Sequence, residues 1–320
     1  MVDTPPNFFL SRENKMTTVA FIGLGNMGYP MASHLLAGGV DVVGVDVSAT
    51  ACRNFEAAGG RVAPSIAQAV SQADVVMSMV PTGEHVRQVY TGPEGVIRHA
   101  KPGALLIDSS TIDVDTARQV IQAAADAGFS MVDAPVSGAV PAAKAATLVF
   151  MVGGTADQCK AVEPILKHMG TSVVHIGPSG SGQAMKICNN MMLGMSMVTL
   201  SETLSLAEKL GLDFQKVYDV VTKGSGNCWA LQVYCPVPGP VPASPASNGY
   251  TPSFPMTLML KDMMLSQNEA NSVGAATPFA GQIARLYEQA VKGGYADKDF
   301  SYIFNIVSGR APLSKDTAND

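Results

Sequence analysis

Apolar residues follow two different spacings along the chain, and the change falls near residue 181. Before it, short apolar runs rich in valine and isoleucine alternate with amphipathic segments of helical spacing. After it, only the helical spacing continues. The pattern therefore predicts an α/β domain at residues 17–181 and an all-helical domain at residues 182–320.

The first domain is predicted to contain a doubly wound parallel sheet, because strands and helices follow one another in alternation. The predicted strands are 18–22, 40–45, 74–80, 104–107, 130–133, 147–153 and 172–176, and the predicted helices are 29–36, 65–73, 83–90, 115–127 and 156–169. In such a sheet, ligands bind beyond the carboxyl ends of the strands.

A long uninterrupted segment, residues 182–212, joins the two domains. It contains no proline and ends near Gly211, so it is predicted to form one helix roughly 45 Å long at 1.5 Å per residue. Apolar side chains cover most of its circumference, which predicts a helix buried between layers. The other helices of the second domain are predicted at 214–222, 256–271, 278–291 and 300–307.

A proline-rich segment, residues 236–255, has seven prolines in twenty residues. A flexible linker has a similar composition. Aromatic residues in and near the segment instead indicate a loop that packs on the body of the domain. They are Trp229, Tyr234, Tyr250 and Phe254.

The composition argues against several classes of function. The net charge is −5 and the basic residues are scattered, so neither nucleic acid nor an anionic membrane is an expected partner. The longest apolar run, residues 191–200, is too short and too interrupted to cross a bilayer. The expected protein is soluble and acts on a small molecule.

The five cysteines are dispersed and the five histidines lie apart from them, so no metal site is predicted. Residues 1–16 are interpreted as a tail, too polar for a signal peptide. Dispersed thiols without such a signal favour a reducing compartment, either the cytoplasm or the mitochondrial matrix.

A glycine-rich turn follows the first predicted strand. Gly23, Gly25 and Gly28 form a GxGxxG motif with Asn26 and Met27, and a helix follows. The first glycine permits a tight turn, the second lets a pyrophosphate approach the backbone, and the third lets the helix pack closely. The helix N-terminus then faces the phosphates. This context favours dinucleotide binding over an ordinary turn.

Asp46 ends the second predicted strand, eighteen residues after Gly28. A carboxylate there accepts hydrogen bonds from the ribose hydroxyls of NAD and repels the 2′-phosphate of NADP. No arginine follows until Arg53, so the sequence favours NAD as the cofactor. The alternative is that Asp46 caps the next turn, which would leave the cofactor preference open.

Lys186 and Asn190 lie four residues apart near the start of the long helix and therefore share one face. The simplest interpretation of such a lysine is a side chain that extends into water. Polar residues also gather at three predicted strand ends, 80–82, 108–111 and 133–138, although ordinary turns have the same composition.

Ordered motifs in the chain resemble those of the β-hydroxyacid dehydrogenase family. They are GLGNMG (23–28), DSST (108–111), DAPVSG (133–138), GQAMKICNN (182–190) and LMLKD (258–262), and they span most of the chain. The resemblance implies a Rossmann domain joined by the long interdomain helix to an all-α domain. It also implies a homodimer or homotetramer.

The resemblance implies roles for the residues that match family motifs. Lys186 would be the catalytic residue, and Asn190 would hold the substrate or orient the lysine. Ser137 and Gly138, followed by Ala139, would lie against the substrate carboxylate.

Further cofactor contacts are implied in the same way. Val80, Pro81 and Thr111 would lie near the nicotinamide half of NAD, and Lys261 close to the cofactor and the active site. One departure from the family pattern is Ala139, where the family usually has glycine. Its methyl group is expected to narrow the substrate loop or to remove a conformation with positive φ.

The implied activity is NAD-dependent oxidation of a short 3-hydroxy acid, with 3-hydroxyisobutyrate as the first choice. A lysine that acts as the base must have a pKa below its usual value of about 10.4, lowered by burial or a neighbouring cation. Two alternatives remain. One is reduction of tartronate or succinic semialdehyde at the same site, and the other is a catalytically silent NAD-binding scaffold.

Overall fold

The structure is a computed structural model that describes residues 17–313. The predicted tail, residues 1–16, lies outside the described residues. Within them the chain forms two compact units, residues 17–186 and residues 187–313. Each unit has a hydrophobic core of its own.

The first unit is built on a nine-stranded sheet. Its strands are β1 (Thr18–Ile22), β2 (Asp41–Val45), β3 (Arg61–Val62), β4 (Val75–Ser78), β5 (Leu105–Asp108), β6 (Ser130–Asp133), β7 (Val136–Ser137), β8 (Leu148–Gly153) and β9 (Gly170–Gly177). Strands β1 to β6 are parallel, in the order β3-β2-β1-β4-β5-β6. Alternate residues of β1 enter two separate cores, so both faces of the sheet are covered, as predicted.

Helices cover these two faces. They are α1 (Gly28–Ala37), α2 (Ala49–Ala57), α3 (Ile66–Val70), α4 (Gly83–Thr91), α5 (Val96–His99), α6 (Val114–Asp126), α7 (Ala139–Lys144) and α8 (Ala156–Leu166). Thr82 caps α4 and Asp113 caps α6, each accepting a backbone hydrogen bond from the third helical residue. The loops that follow β4 and β5 are therefore short and end at defined positions.

One edge of the sheet differs from the predicted parallel arrangement. β8 runs antiparallel to β6 and β7, and β9 runs parallel to β8. A parallel return requires a crossover of roughly a dozen or more residues. Only the six-residue helix α7 lies between β7 and β8, so the chain reverses its direction there.

The long helix α9 (Ser181–Lys209) begins in the first unit and continues into the second. The remaining helices are α10 (Phe214–Val221), α11 (Trp229–Tyr234), α12 (Met256–Ser272), α13 (Pro278–Ala290) and α14 (Ile303–Val307). The predicted burial of α9 is wrong along one side, because Met192 and Leu206 are 70% and 61% exposed.

The proline-rich segment packs on the second unit, as predicted. Asp299 is fully buried, and its Oδ2 accepts hydrogen bonds from Tyr234 Oη at 2.8 Å and from the backbone N–H groups of Ser253 and Phe254, each at 3.0 Å. Tyr250 Oη donates to the Pro236 carbonyl at 2.9 Å. These bonds hold both ends of the segment against α11 and the 3-10 turn that precedes α14.

Candidate active site

The turn between β1 and α1 has room for a ligand at one glycine and none at the other two. Gly23 has a φ of +97°, and a methyl group on it would lie 2.3 Å from the Met79 carbonyl oxygen. A methyl group on Gly28 would lie 1.9 Å from the Gly23 carbonyl oxygen. Gly25 is exposed. A methyl group on it would have no atom within 4 Å from any described residue other than Gly25 and its two chain neighbours. A phosphate group can therefore approach the backbone at Gly25, in front of the N-terminus of α1.

The other residues of the motif surround this opening. Asn26 is exposed, and the half-buried Met27 packs against the core. Asp46, at the end of β2, ties the turn in place. Its Oδ2 accepts a hydrogen bond from Leu24 N at 2.6 Å, and its Oδ1 accepts one from Ser48 N at 2.7 Å. The carboxylate thus shapes the turn that follows it, and it keeps lone pairs for further donors.

Asp108, at the end of β5, is a buried carboxylate. Its Oδ1 accepts hydrogen bonds from Ser78 Oγ and Ser110 Oγ, both at 2.7 Å. Burial, with a smaller contribution from the neighbouring Asp133, raises the pKa of Asp108 to about 6, against the effect of these bonds. Within residues 17–313, no donor reaches its Oδ2. Asp108 therefore links Ser78, at the end of β4, to Ser110, in the loop after β5.

The predicted nicotinamide residues lie at the same edge of the sheet as the glycine turn. β1, β4 and β5 are adjacent and parallel, so the segments that follow them lie side by side. Val80 follows β4, and its backbone N–H donates to Ser110 Oγ at 2.9 Å. Pro81 is exposed, whereas Val80 and Thr111 are half-buried.

The start of α9 is anchored to this edge by Asp133, which ends β6 beside Asp108. The Asp133 oxygens accept hydrogen bonds from the backbone N–H groups of Gly180 and Gln183, both at 2.8 Å. Burial raises the pKa of Asp133, and these backbone bonds oppose the shift. A methyl group on Gly153 would lie 2.3 Å from its Oδ1, which explains the glycine there.

Gln183 adds a second attachment, and its side chain is fully buried. Its Nε2 donates to the Ser110 carbonyl at 2.7 Å, and its Oε1 accepts from Ile112 N at 3.1 Å. The first turn of α9 is therefore bonded to the loop after β5. Lys186 lies three residues further along the helix and is half-buried. The anchoring role of Asp133 and Gln183 was not predicted, because a sequence does not reveal which backbone groups a carboxylate will reach.

The predicted substrate residues follow β7. Ser137 ends the strand, and Gly138 has a φ of +126°. Ala139 has a φ of +54°, so the expectation that its methyl group removes a positive φ is wrong. An alanine in this region costs roughly 1–2 kcal/mol relative to glycine. Ala139 therefore adopts a backbone conformation that favours glycine while carrying a methyl group.

In the second unit, the buried carboxylate of Asp262 brings together Asn190 and Lys261. Asn190 Nδ2 donates to Asp262 Oδ2 at 2.5 Å, and Lys261 Nζ lies 3.5 Å from Asp262 Oδ1. The sequence motif at 258–262 contains Asp262 but gave no reason to assign it a role.

Residues 17–313 contain no candidate for a metal site and no candidate for a membrane-spanning helix. No group of three or more histidine, cysteine, aspartate or glutamate residues is placed to hold a metal ion. None of the described helices combines the length and hydropathy of a bilayer-spanning segment.

Two protein-family profiles match the chain. Residues 18–177 match the NAD binding domain of 6-phosphogluconate dehydrogenase. Residues 180–307 match a profile described as NAD-binding of NADP-dependent 3-hydroxyisobutyrate dehydrogenase. One profile therefore covers the region of the sheet, and the other covers α9 and the helices that follow it.

Individual proteins are similar over most of the chain. A probable 3-hydroxyisobutyrate dehydrogenase of Mycobacterium bovis is 46% identical over 296 residues, covering 92% of this chain and 99% of that protein. The NAD-dependent L-serine dehydrogenase of Pseudomonas aeruginosa is 40% identical, covering 90% and 97%. The solved structure of Mycobacterium tuberculosis 3-hydroxyisobutyrate dehydrogenase with L-serine has a TM-score of 0.85 and 45% identity, covering 93% and 100%.

Proposed function

The chain belongs to the 3-hydroxyisobutyrate dehydrogenase family of NAD(P)-dependent oxidoreductases, and on that premise we propose that it uses NAD to oxidise 3-hydroxyisobutyrate to methylmalonate semialdehyde. The observation that carries the proposal is the anchoring of α9. Asp133 and Gln183 bond the first turn of this helix to the sheet edge that holds the glycine turn. Lys186 follows on the next turn of the helix.

In the proposed reaction, Lys186 accepts a proton from the substrate hydroxyl group. Bound NAD supplies the hydride acceptor. As the hydroxyl proton passes to Lys186, negative charge develops on the oxygen, and the lysine ammonium formed by the proton transfer stabilises it until the C–H bond breaks and the oxygen forms the carbonyl. The alcohol becomes an aldehyde, its hydroxyl proton resides on Lys186 Nζ, and two electrons leave with the hydride.

The other site residues are proposed to bind and orient the reactants. Asn190 holds the substrate, and the segment Ser137 to Ala139 receives its carboxylate. The methyl group of Ala139 narrows that segment. Val80, Pro81, Thr111 and Lys261 contact the cofactor.

We predict that Asp46→Ala weakens NAD binding much more than NADP binding. Hydrogen bonds to a charged group contribute about 1.5–3 kcal/mol, which corresponds to a roughly 10- to 150-fold rise in the Kd for NAD. Both cofactors lose the support that Asp46 gives to the glycine turn through Leu24 N. Only NADP also gains, because the carboxylate no longer repels its 2′-phosphate. Calorimetric titration with both cofactors measures the two constants.

Asp41→Ala provides the matched control, because Asp41 begins the strand that ends before Asp46 and pairs with Arg61. Both Kd values should stay within about threefold of the parent protein, as is usual for surface ion pairs. Equal weakening of NAD and NADP by Asp46→Ala would remove Asp46 from cofactor selection.

L-Serine is the second candidate substrate. The relative in Pseudomonas aeruginosa is named for L-serine, and the similar Mycobacterium tuberculosis structure contains it. Serine is also a 3-hydroxy acid, with an ammonium group in place of the methyl group on the second carbon. Reduction of tartronate or succinic semialdehyde remains a third candidate.

Steady-state assays with NAD separate these functions. The panel contains 3-hydroxyisobutyrate, L-serine and, in the reductive direction with NADH, tartronate and succinic semialdehydes. We expect the highest kcat/KM for 3-hydroxyisobutyrate. A higher value for serine or for a semialdehyde would replace the proposed substrate, and NAD binding without any turnover would indicate a silent scaffold.

The protein is further proposed to be a homodimer or homotetramer of the cytoplasm or the mitochondrial matrix. The exposed apolar side of α9, with Met192 and Leu206, favours association. Sedimentation velocity measures the oligomeric state, and cell fractionation of the tagged chain measures its compartment.

A further inference from the structure

Helix α12 carries a buried carboxylate between two residues with proposed roles. Asp262 is 3% exposed. Asn190 Nδ2 donates to its Oδ2 at 2.5 Å, and Lys261 Nζ lies 3.5 Å from its Oδ1. Within the described chain no hydrogen-bond donor reaches Oδ1. The side-chain partners of this carboxylate are therefore the two proposed site residues.

The carboxylate determines which way the Asn190 amide points. A carboxylate only accepts hydrogen bonds, whereas an amide has a donor side and an acceptor side. Nδ2 must face Asp262, because the reversed amide would bring its oxygen against the carboxylate. Asn189 Nδ2 donates to Asn190 Oδ1 at 2.9 Å from the other side. Asn190 is thus held in one orientation.

Packing between α9 and α12 does not depend on this carboxylate. Gly194 lies one turn after Asn190, and a methyl group on it would lie 2.6 Å from Met263 Sδ. The two helices are therefore in close apolar contact beside the polar pair. Loss of the carboxylate should leave that contact in place.

Asp299, a second buried carboxylate in the same unit, has hydrogen bonds of the kind expected for a residue that only stabilises the fold. Asp299 accepts hydrogen bonds from Tyr234, from the backbone of the proline-rich segment and from Ser301. Both of its oxygens have donors. Among residues 17–313, Asp262 has one hydrogen-bond donor, the side chain of Asn190. The bonding of Asp262 serves Asn190 rather than a segment of backbone.

We propose that Asp262 is a positioning residue, which fixes the Asn190 amide so that its remaining donor and acceptor sites face the substrate in a single orientation. Asp262 acts through Asn190 and does not touch the reacting atoms. The inference rests on the proposed function, because it takes Asn190 as a substrate-binding residue.

The test compares Asp262→Leu, which removes the acceptor and keeps a side chain branched at the same position, with Asp262→Asn, which keeps one acceptor for Asn190 Nδ2. We expect Asp262→Leu to lower kcat about 10- to 100-fold, the effect of a small misplacement in a site. The KM for NAD should change less than about threefold, and Asp262→Asn should retain kcat within about threefold, since the hydrogen bond is kept.

A double-mutant cycle distinguishes positioning from a general loss of structure. Asp262→Leu combined with Asn190→Ala should be no slower than Asn190→Ala alone, because the positioned group is then absent. Asp299→Asn is the control. It should lower the melting temperature and retain kcat, which shows that destabilising this unit does not by itself reduce turnover.

Two results would overturn the inference alone: normal kcat in Asp262→Leu, or losses that multiply in the double variant. Full turnover by Asn190→Ala would overturn the proposed role of Asn190 together with the inference. Absence of turnover by the parent protein with every acid of the panel would overturn the proposed function, and the inference with it. The parent protein and the single variants therefore tell these failures apart.

Discussion

Replacing Lys186 by alanine should lower kcat with 3-hydroxyisobutyrate about 1,000-fold or more, while NAD still binds. The lysine has two proposed tasks, to accept the hydroxyl proton and to stabilise charge on the oxygen. Proton transfer by a positioned group contributes roughly 10²–10⁴-fold. Stopped-flow measurement of NADH formation gives the rate, and calorimetry gives the Kd for NAD, expected within about threefold of the parent value.

Two further variants sharpen this test. Lys186→Arg keeps a positive charge but cannot act as a base, because arginine stays protonated. It should be about as slow as Lys186→Ala. Lys209 lies at the end of the same helix and is exposed, so Lys209→Ala should retain full activity. Normal turnover in Lys186→Ala, or strong activity in Lys186→Arg, would contradict the proposed chemistry.

The strands that determine the fold could be predicted because their signal is local. Residues 18–22 and 130–133 are the strands β1 and β6 with the predicted bounds. A run of β-branched and apolar residues between turns is sufficient to identify such a strand. The long helix was predicted for an equally local reason, the absence of proline in its interior.

Elements without a strong hydrophobic pattern could not be predicted. α2 buries a single side chain, Phe55, so its sequence has few apolar positions by which the helix could be recognised. The direction of β8 depends on how the chain returns after β7, and a strand's sequence does not encode its direction. Both features are decided by tertiary packing.

In the candidate site, too, some features could be predicted from the sequence and others could not. The glycine turn and Asp46 were predicted, because their spacing carries a physical mechanism. The hydrogen bonds of Asp133, Gln183 and Asp262 join residues that are 47 to 73 positions apart in sequence. Such pairs leave no periodic signal in a single sequence, so only the folded chain reveals them.

The glycine turn itself permits a test in which stability and binding respond differently. Gly28→Ala places a methyl group 1.9 Å from the Gly23 carbonyl oxygen, a contact that the backbone must relieve by moving. We expect a loss of about 2–4 kcal/mol in the free energy of unfolding, at the upper end of the cost of overpacking. NAD binding should be lost with it, because the turn can no longer keep its shape.

Gly25→Ala is the matched variant within the same motif. Apart from Gly25 and its two chain neighbours, no described residue has an atom within 4 Å of the added methyl group, so the free energy of unfolding should change by less than about 1 kcal/mol. The methyl group instead occupies the space through which a pyrophosphate reaches the backbone, so the Kd for NAD should rise at least about 10-fold. Urea unfolding without ligand and calorimetry with NAD measure the two quantities. Unchanged NAD affinity in Gly25→Ala would mean that the phosphates bind elsewhere, and unchanged stability in Gly28→Ala would mean that the turn is not closed as described.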